Sequence, residues 1–318
     1  MKKIIIGLLI LLTISGCNRN VETIVDYEYS GMGIVSATGA PSLAFINSID
    51  DETFETNAVP SNIVSMMTTN SDKRVVVIDT ISGINAIKKG APYKLMANIT
   101  FGNFYIASTG NDDNDQMDED DTIVIFGQGI TPDVVFHYIY GDKFDNSIEY
   151  VQSVQDAGKC LAVGKNLETG SSVDYVFIAE PVLTNILNNS EAPTYGKAKS
   201  FINIQDEYYK KSNLEMIQAS IFVKDDGYIQ DYDDYSHYLE ENIEQILTNK
   251  EYVEFYLNSK SNDEVSSIFG IGTNLIYKVL ADNSIGLGYK KAIDNKEAID
   301  NFVGLFGGEA TSEEIYIK

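Results

Sequence analysis

Residues 122–140, TIVIFGQGITPDVVFHYIY, restrict the architecture of this chain more than any other stretch. The apolar, β-branched run 123–126 reads as a buried strand and Gly127-Gln128-Gly129 as a turn. Val134, Val135, Tyr138 and Ile139 then mark one face of a helix. Thr131 is placed to cap that helix, Pro132 suits its first position, and Asp133 suits the positive end of its dipole. A helix beginning just past a strand leaves backbone N–H groups free there, and these can hold a polar or anionic ligand group. The same glycine turn can also serve only to let a helix pack closely on its strand.

This order recurs. Residues 34–37 form a strand, Thr38-Gly39-Ala40-Pro41-Ser42 a turn, and 43–46 the start of an apolar helix. A strand at 75–78 ends in Asp79-Thr80 and leads into a helix carrying Ile81, Ile84 and Ile87, and strands at 94–99 and 104–107 complete a first set. A second set has strands at 123–126, 148–151 and 173–178, with helices through 131–140, through 157–163 and from Val182. Alternating strands and helices predict βαβ units and a parallel sheet covered by helices on both faces. The strand at 173–178 runs into Ala179-Glu180-Pro181, so Glu180 emerges at a carboxyl sheet edge, where open α/β sheets bind ligands. Strands at 201–204 and 216–223 follow, and the rest reads as helix: an i, i+4 stripe from Tyr235 to Leu257, a further helix with Phe269, Leu275, Ile276 and Val279, and a last one over 299–306.

The N-terminus carries its own signal. Met1-Lys2-Lys3, the apolar run 4–14 and Ser15-Gly16-Cys17 have the charged, apolar and small-residue order of an export signal, and the apolar run is too short to span a bilayer. Cleavage before Cys17 removes 16 of 318 residues and leaves 302, which is more than one core usually serves, so two lobes are expected. Loss of Lys2 and Lys3 takes the formal net charge from −24 to −26. Such a surface repels nucleic acid and anionic headgroups, so a membrane link has to come from lipid and not from a basic patch.

Other chemistry-bearing residues read as structural. Cys160 sits at an apolar helical position and reads as a small core residue. Residues 111–121 hold seven carboxylates in eleven positions but lack the sixth-position glycine and distal glutamate of an EF-hand, so they read as a solvated loop and no metal is expected. His137 and His237 fall at the edges of helical apolar faces, and Glu180 has no evident acid partner, so acid–base catalysis is not indicated.

Several of these stretches together resemble a known family. Ile14-Ser15-Gly16-Cys17 is similar to the lipobox of bacterial lipoproteins, which implies lipidation of Cys17. Thr38-Gly39-Ala40-Pro41-Ser42-Leu43, Gly102-Asn103-Phe104-Tyr105-Ile106, Phe126-Gly127-Gln128-Gly129 with Thr131-Pro132-Asp133, Ala179-Glu180-Pro181 and Asn283-Ser284-Ile285 resemble the type II periplasmic-binding-protein-like solute receptors of ABC transporters. The group meant is the one containing nitrate, sulfonate, taurine and thiamine-pyrimidine receptors.

The resemblance implies a two-lobe α/β fold in which each lobe is a mixed sheet flanked by helices, joined by two crossover strands near 109–122 and 199–206. It divides the chain into a signal peptide (1–16), a tether (17–30), lobe one (31–110 and 207–318) and lobe two (111–206). It places ligand contacts at Gly39, Ala40, Pro41, Ser42, Asp79, Thr80, Asn103, Phe104, Gln128, Gly129, Ile130, Thr131 and Glu180. It implies a small-molecule solute, an ABC permease with its ATPase as partners, no cofactor, a monomer, and a place on the extracytoplasmic face of the membrane. Anion-binding members usually carry a basic cleft residue, and none stands at a matching turn here. A neutral, amine-bearing or heteroaromatic solute held by Glu180, Asn103, Gln128 and an aromatic such as Phe104 or Tyr105 fits better. Two alternatives stay open: a ligand-sensing lipoprotein without a transporter, and an enzyme of related fold like those of pyrimidine biosynthesis.

Overall fold

A computed structural model describes residues 29, 31–69, 71–111, 116–229 and 231–317. The export signal, Cys17, the tether apart from Tyr29, and Asp112, Asp113 and Asp115 of the acidic run lie outside the described residues. The first part of the chain forms β1 (Ile34–Ala37), a kinked 3₁₀ helix (Ala40–Ser48), β2 (Phe54–Asn57), α1 (Pro60–Thr68), β3 (Val75–Asp79), α2 (Thr80–Lys88) and β4 (Tyr93–Thr100). The middle forms β5 (Phe104–Ser108), β6 (Ile123–Phe126), α3 (Thr131–Tyr140), β7 (Ile148–Val151), α4 (Val154–Val163), β8 (Tyr175–Ala179), α5 (Val182–Leu187) and β9 (Lys199–Asn203). The remainder forms α6 (Ile204–Ser212), β10 (Ala219–Lys224), α7 (Tyr232–Thr248), α8 (Lys250–Leu257), α9 (Asn262–Phe269), α10 (Thr273–Ala281), β11 (Leu287–Lys291) and α11 (Lys296–Leu305).

These strands make two mixed sheets flanked by helices, in the orders β11-β4-β10-β3-β1-β2 and β7-β6-β8-β5-β9. β2, β1 and β3 are parallel, as the alternation predicts, and so are β7, β6 and β8. β10 departs from that expectation by lying antiparallel between β3 and β4, β11 is antiparallel on β4, and β5 is antiparallel to both β8 and β9. The cause is connection length. Only residues 101–103 separate β4 from β5, whereas a parallel crossover takes a dozen residues or more, so β5 cannot lie parallel beside β4, and it enters the other sheet.

That placement shifts the crossings. β5 and β6 share a sheet, so 109–122 joins two strands of one sheet, and the chain passes between sheets at 101–103. It returns after β9 through α6 and residues 213–218. Between β9 and β10 the expected strand at 201–204 ends at Asn203, whose side chain accepts from Gln205 N and starts α6.

The apolar runs behave as their sequence demands. Val75, Val76, Val77 and Ile78 are fully buried, as are Tyr175, Val176, Phe177 and Ile178, which marks β3 and β8 as strands covered on both faces. One continuous core links the sheets. It includes Val76 and Phe222 from the first, Phe104 and Phe177 from the second, and Tyr208 of α6 against Phe302 of α11 with ring centroids 6.2 Å apart. Cys160 lies in the smaller core beneath β8, 1% exposed, and burial raises its thiol pKa, which keeps it an inert core residue.

Candidate functional site

Glu180 and Asn103 form the centre of the seam between the sheets. β5 and β8 pair antiparallel with Phe104 opposite Ala179, and the ladder continues one step further, where Glu180 N donates to Asn103 O at 2.8 Å. The Asn103 amide Nδ2 donates to Glu180 O at 2.8 Å, and Asn103 N donates to Gln218 Oε1 at 3.0 Å. Asn103 is therefore fixed by both sheets' connecting segments. Its Oδ1 is buried and accepts no hydrogen bond.

Glu180 as a whole residue is 5% exposed. Oε2 accepts from Thr184 N at 2.9 Å and Oε1 from Thr184 Oγ1 at 2.8 Å, so α5 holds the side chain in one orientation. Burial raises its pKa above the ordinary 4.5; the two Thr184 hydrogen bonds oppose this and the charge of Asp282 adds to it. The Ser284 hydroxyl stands near enough to favour the ionised form without reaching hydrogen-bond distance. A carboxyl whose folded pKa exceeds its unfolded value contributes stability that is present below about 4.5 and is lost as pH rises through the folded value. Denaturant titrations should therefore show the wild type losing stability relative to Glu180→Gln between pH 4.5 and neutrality. A constant difference across that range would place the buried charge elsewhere.

Elements of the first sheet face this centre. Gly39 has φ 103° and precedes the 3₁₀ helix, and a Cβ on it would stand 4.0 Å from Pro181 Cδ, so the Gly39 turn lies against the Glu180-Pro181 step. Ser42 N and Ser42 Oγ both donate to Gly39 O, at 3.1 and 2.7 Å, which closes the turn; Ala40 is buried and Pro41 half-buried. Tyr105 of β5 reaches across to donate to Ser284 O at 2.9 Å, and Lys278 of α10 donates to Asn188 Oδ1 beyond α5. Burial, then the charges of Glu180, Asp282 and Asp206, raise the Tyr105 pKa, so the phenol stays a donor.

Other expected residues have different surroundings. Asp79 caps α2 by accepting from Ser82 N at 2.8 Å, and burial raises its pKa. Thr80 is fully buried and its hydroxyl pairs with Ser220 Oγ at 2.7 Å; Asn98 Nδ2 donates to the same Ser220 oxygen, and Asn295 donates to Asn98 Oδ1. That chain of groups ties α2 through the first sheet to the segment before α11, so the Thr80 side chain is committed to structure. Phe104 packs edge-on against Phe126, 6.1 Å between centroids, and against Phe177.

The glycine turn at 127–130 differs from its sequence reading in one respect. Ile130, 56% exposed, is the N-cap and makes no side-chain capping bond, while Thr131 is already the first helical residue. Capping falls instead to Asp133, whose Oδ2 accepts from Gly129 N at 2.8 Å while Oδ1 accepts from Tyr150 OH at 2.7 Å. Gln128 and Gly129 are exposed, and no hydrogen bond joins this turn to Glu180 or Asn103. His137 stands between Asp133 and Asp145, and His237 is exposed beside Glu241. Among the described residues no group of three or more His, Cys, Asp or Glu is arranged to hold a metal ion.

Sequence reasoning passed over Gln218, Asn188, Lys278 and Asp282. Gln218 stands just before an apolar strand and gives no polar spacing to notice, while Lys278 and Asp282 lie on and beyond a helix whose stripe reads as core.

Solved structures share this arrangement over nearly the whole chain. An ABC transporter protein from Parabacteroides distasonis superposes with a TM-score of 0.68 at 14% identity, covering 90% of this chain and 98% of that one. The fold is that of the periplasmic binding proteins. The periplasmic aliphatic sulphonate binding protein of Escherichia coli matches with a TM-score of 0.60 at 12% identity over 91% and 92% of the two chains. The ligand binding component of an ABC-type import system from Staphylococcus aureus, with zinc bound, matches with a TM-score of 0.57 at 10% identity over 90% and 95%. Residues 1–18 match the family described as prokaryotic membrane lipoprotein lipid attachment site. No curated protein matches the sequence. The periplasmic-binding-protein fold thus stands beside a lipid attachment site in one chain.

Proposed function

We propose that this chain is the solute-binding lipoprotein of an ABC importer, anchored through lipid on Cys17 at the extracytoplasmic face of the membrane. It captures a small polar solute between two lobes and delivers it to a permease driven by an ATPase. The lobes are residues 31–100 with 219–317, and 104–203, with 101–103 and 204–218 as the connections that bend. The observation that carries this reading is the meeting of the Gly39 turn with Glu180-Pro181, which brings a turn from each sheet to one seam beside the connection at 101–103. The contacts would come from Gly39, Asn103, Tyr105 and Glu180, with the exposed turn Gln128 to Thr131 at the rim.

A binding role suits this chemistry better than catalysis. Both Glu180 oxygens are steadied by Thr184, and the one described cysteine is buried with a raised pKa, so neither a mobile base nor a thiolate is offered. The test is to denature the purified full chain and identify released small molecules by mass spectrometry, then titrate the recovered compound back. Saturable one-to-one binding is expected; recovery of a chemically converted product instead would replace the receptor with an enzyme.

A further inference from the structure

Buried polar atoms at the seam are left without a partner in the described residues, the Asn103 and Gln205 amide oxygens and the Ser284 hydroxyl among them. Asn103 is 7% exposed, and the orientation of its amide is fixed because Nδ2 faces the carbonyl of Glu180, which can only accept. Oδ1 is therefore an acceptor that no donor among the described residues meets. Gln205, at the start of α6, leaves a second buried acceptor unmet, its Oε1, packed where a Cβ on Gly102 would stand 2.1 Å away. Both lie against the connection at 101–103. A buried amide oxygen without a donor is costly, and the economical remedy is a ligand that brings N–H groups.

The charges point the same way. After burial, the charges of Glu180, Asp282 and Asp206 raise the Tyr105 pKa, so the buried Glu180 and two exposed carboxylates make the potential around Tyr105 negative. Lys278, the basic side chain that reaches across, is engaged by Asn188, and Arg74 is held by Asp226 and stacked on Tyr228. An anion would meet acceptors and like charge. A metal ion lacks its ligand set, since no group of three or more His, Cys, Asp or Glu among the described residues could hold one. Each Glu180 oxygen accepts one hydrogen bond from Thr184 and keeps a further lone pair.

We propose that the seam selects an organic cation, an ammonium or amidinium whose N–H groups are received by the Glu180 carboxylate and Asn103 Oδ1. This rests on the solute-receptor reading above and narrows it to one charge class.

The test uses the full chain in detergent. Thermal shift and calorimetric titration are run with putrescine, agmatine and spermidine as cations, ethanesulfonate and nitrate as anions, and uracil as a neutral ring. At least one amine is expected to bind, and Glu180→Gln to weaken it about 10- to 150-fold, the range of a charge-assisted hydrogen bond. Asp282→Asn gives a second reading that does not depend on a buried position. Asp282 is exposed, its Oδ1 accepts from Ser284 N at 3.0 Å, and asparagine can keep that bond, so the variant should weaken the amine by up to about fivefold. Binding of ethanesulfonate, nitrate or uracil without any amine overturns the charge class and leaves the receptor standing. An amine bound equally well by both variants overturns the assignment of the site. No binding by any of the six overturns this inference, while the receptor reading stands or falls on the compound released from the denatured chain.

Discussion

Gly286→Ala should lower the unfolding free energy by about 2–5 kcal/mol, the combined scale of a left-handed backbone for a residue with Cβ and of overpacking. Gly286 has φ 61°, and a Cβ there would stand 2.2 Å from Gly102 O, well inside contact with backbone that cannot rotate away. Neither side is free to yield. Asn283 clamps the turn by accepting from Leu287 N and donating to Leu287 O, both at 2.8 Å, while Phe101 N donates to Gly286 O at 2.8 Å. Gly102 is itself hemmed in by Gln205 and Met216. The substitution therefore pries the 283–287 turn from the connection at 101–103, and solute affinity should fall with stability. Gly307→Ala is the control. Its φ is 70° but nothing lies within 4 Å of its added Cβ, so only the backbone preference, about 1–2 kcal/mol, is lost. Chemical denaturation of both variants checks this, and equal losses would mean that the close approach at Gly102 is relieved at no cost.

Cys17→Ser should move the protein from the membrane fraction to the soluble fraction. Residues 1–18 match a lipid attachment site, and no helix among the described residues is long and apolar enough to cross a membrane. A formal net charge of −24 gives no electrostatic hold on anionic lipid. One acyl chain binds only marginally and two give stable attachment, so loss of the thiol that carries them removes the anchor. Fractionation of cells expressing each form measures it. Serine-bearing protein that stays with the membrane would mean that attachment does not run through Cys17.

Strong periodicity made much of this fold legible. β1, β3 with α2, β6 with α3, and β8 all stand where their apolar runs and turns put them, because a strand buried on both faces needs an unbroken apolar run and a helix on a sheet needs a 3.6-residue stripe. β2, FETN, is half exposed at a sheet edge and carries no such run, and α6, IQDEYYKKS, is polar on most of its surface. β11, LGYKK, has one buried residue, so the tail read as helix throughout. The long stripe from Tyr235 to Leu257 proved to be two helices divided at Asn249, whose extended backbone ends α7 and whose side chain caps α8. Strand direction was the larger gap. Nothing in ASIFVK tells whether β10 runs with or against its neighbours; the short link at 101–103 and the return through α6 decide that. At the site, Glu180 was visible because a polar residue ended an apolar strand, whereas its hold on Thr184 and the clamp of Asn103 by Gln218 depend on side-chain directions that spacing does not carry.

The central claim is that two lobes close on a solute about the connections at 101–103 and 204–218. Small-angle X-ray scattering tests it most directly, with the Cys17→Ser chain measured alone and then saturated with the small molecule recovered from the native protein. A smaller radius of gyration on saturation is the expected result, since rigid-body closure brings the two sheets' outer helices nearer without changing either lobe. Identical scattering curves at saturating concentration would contradict it.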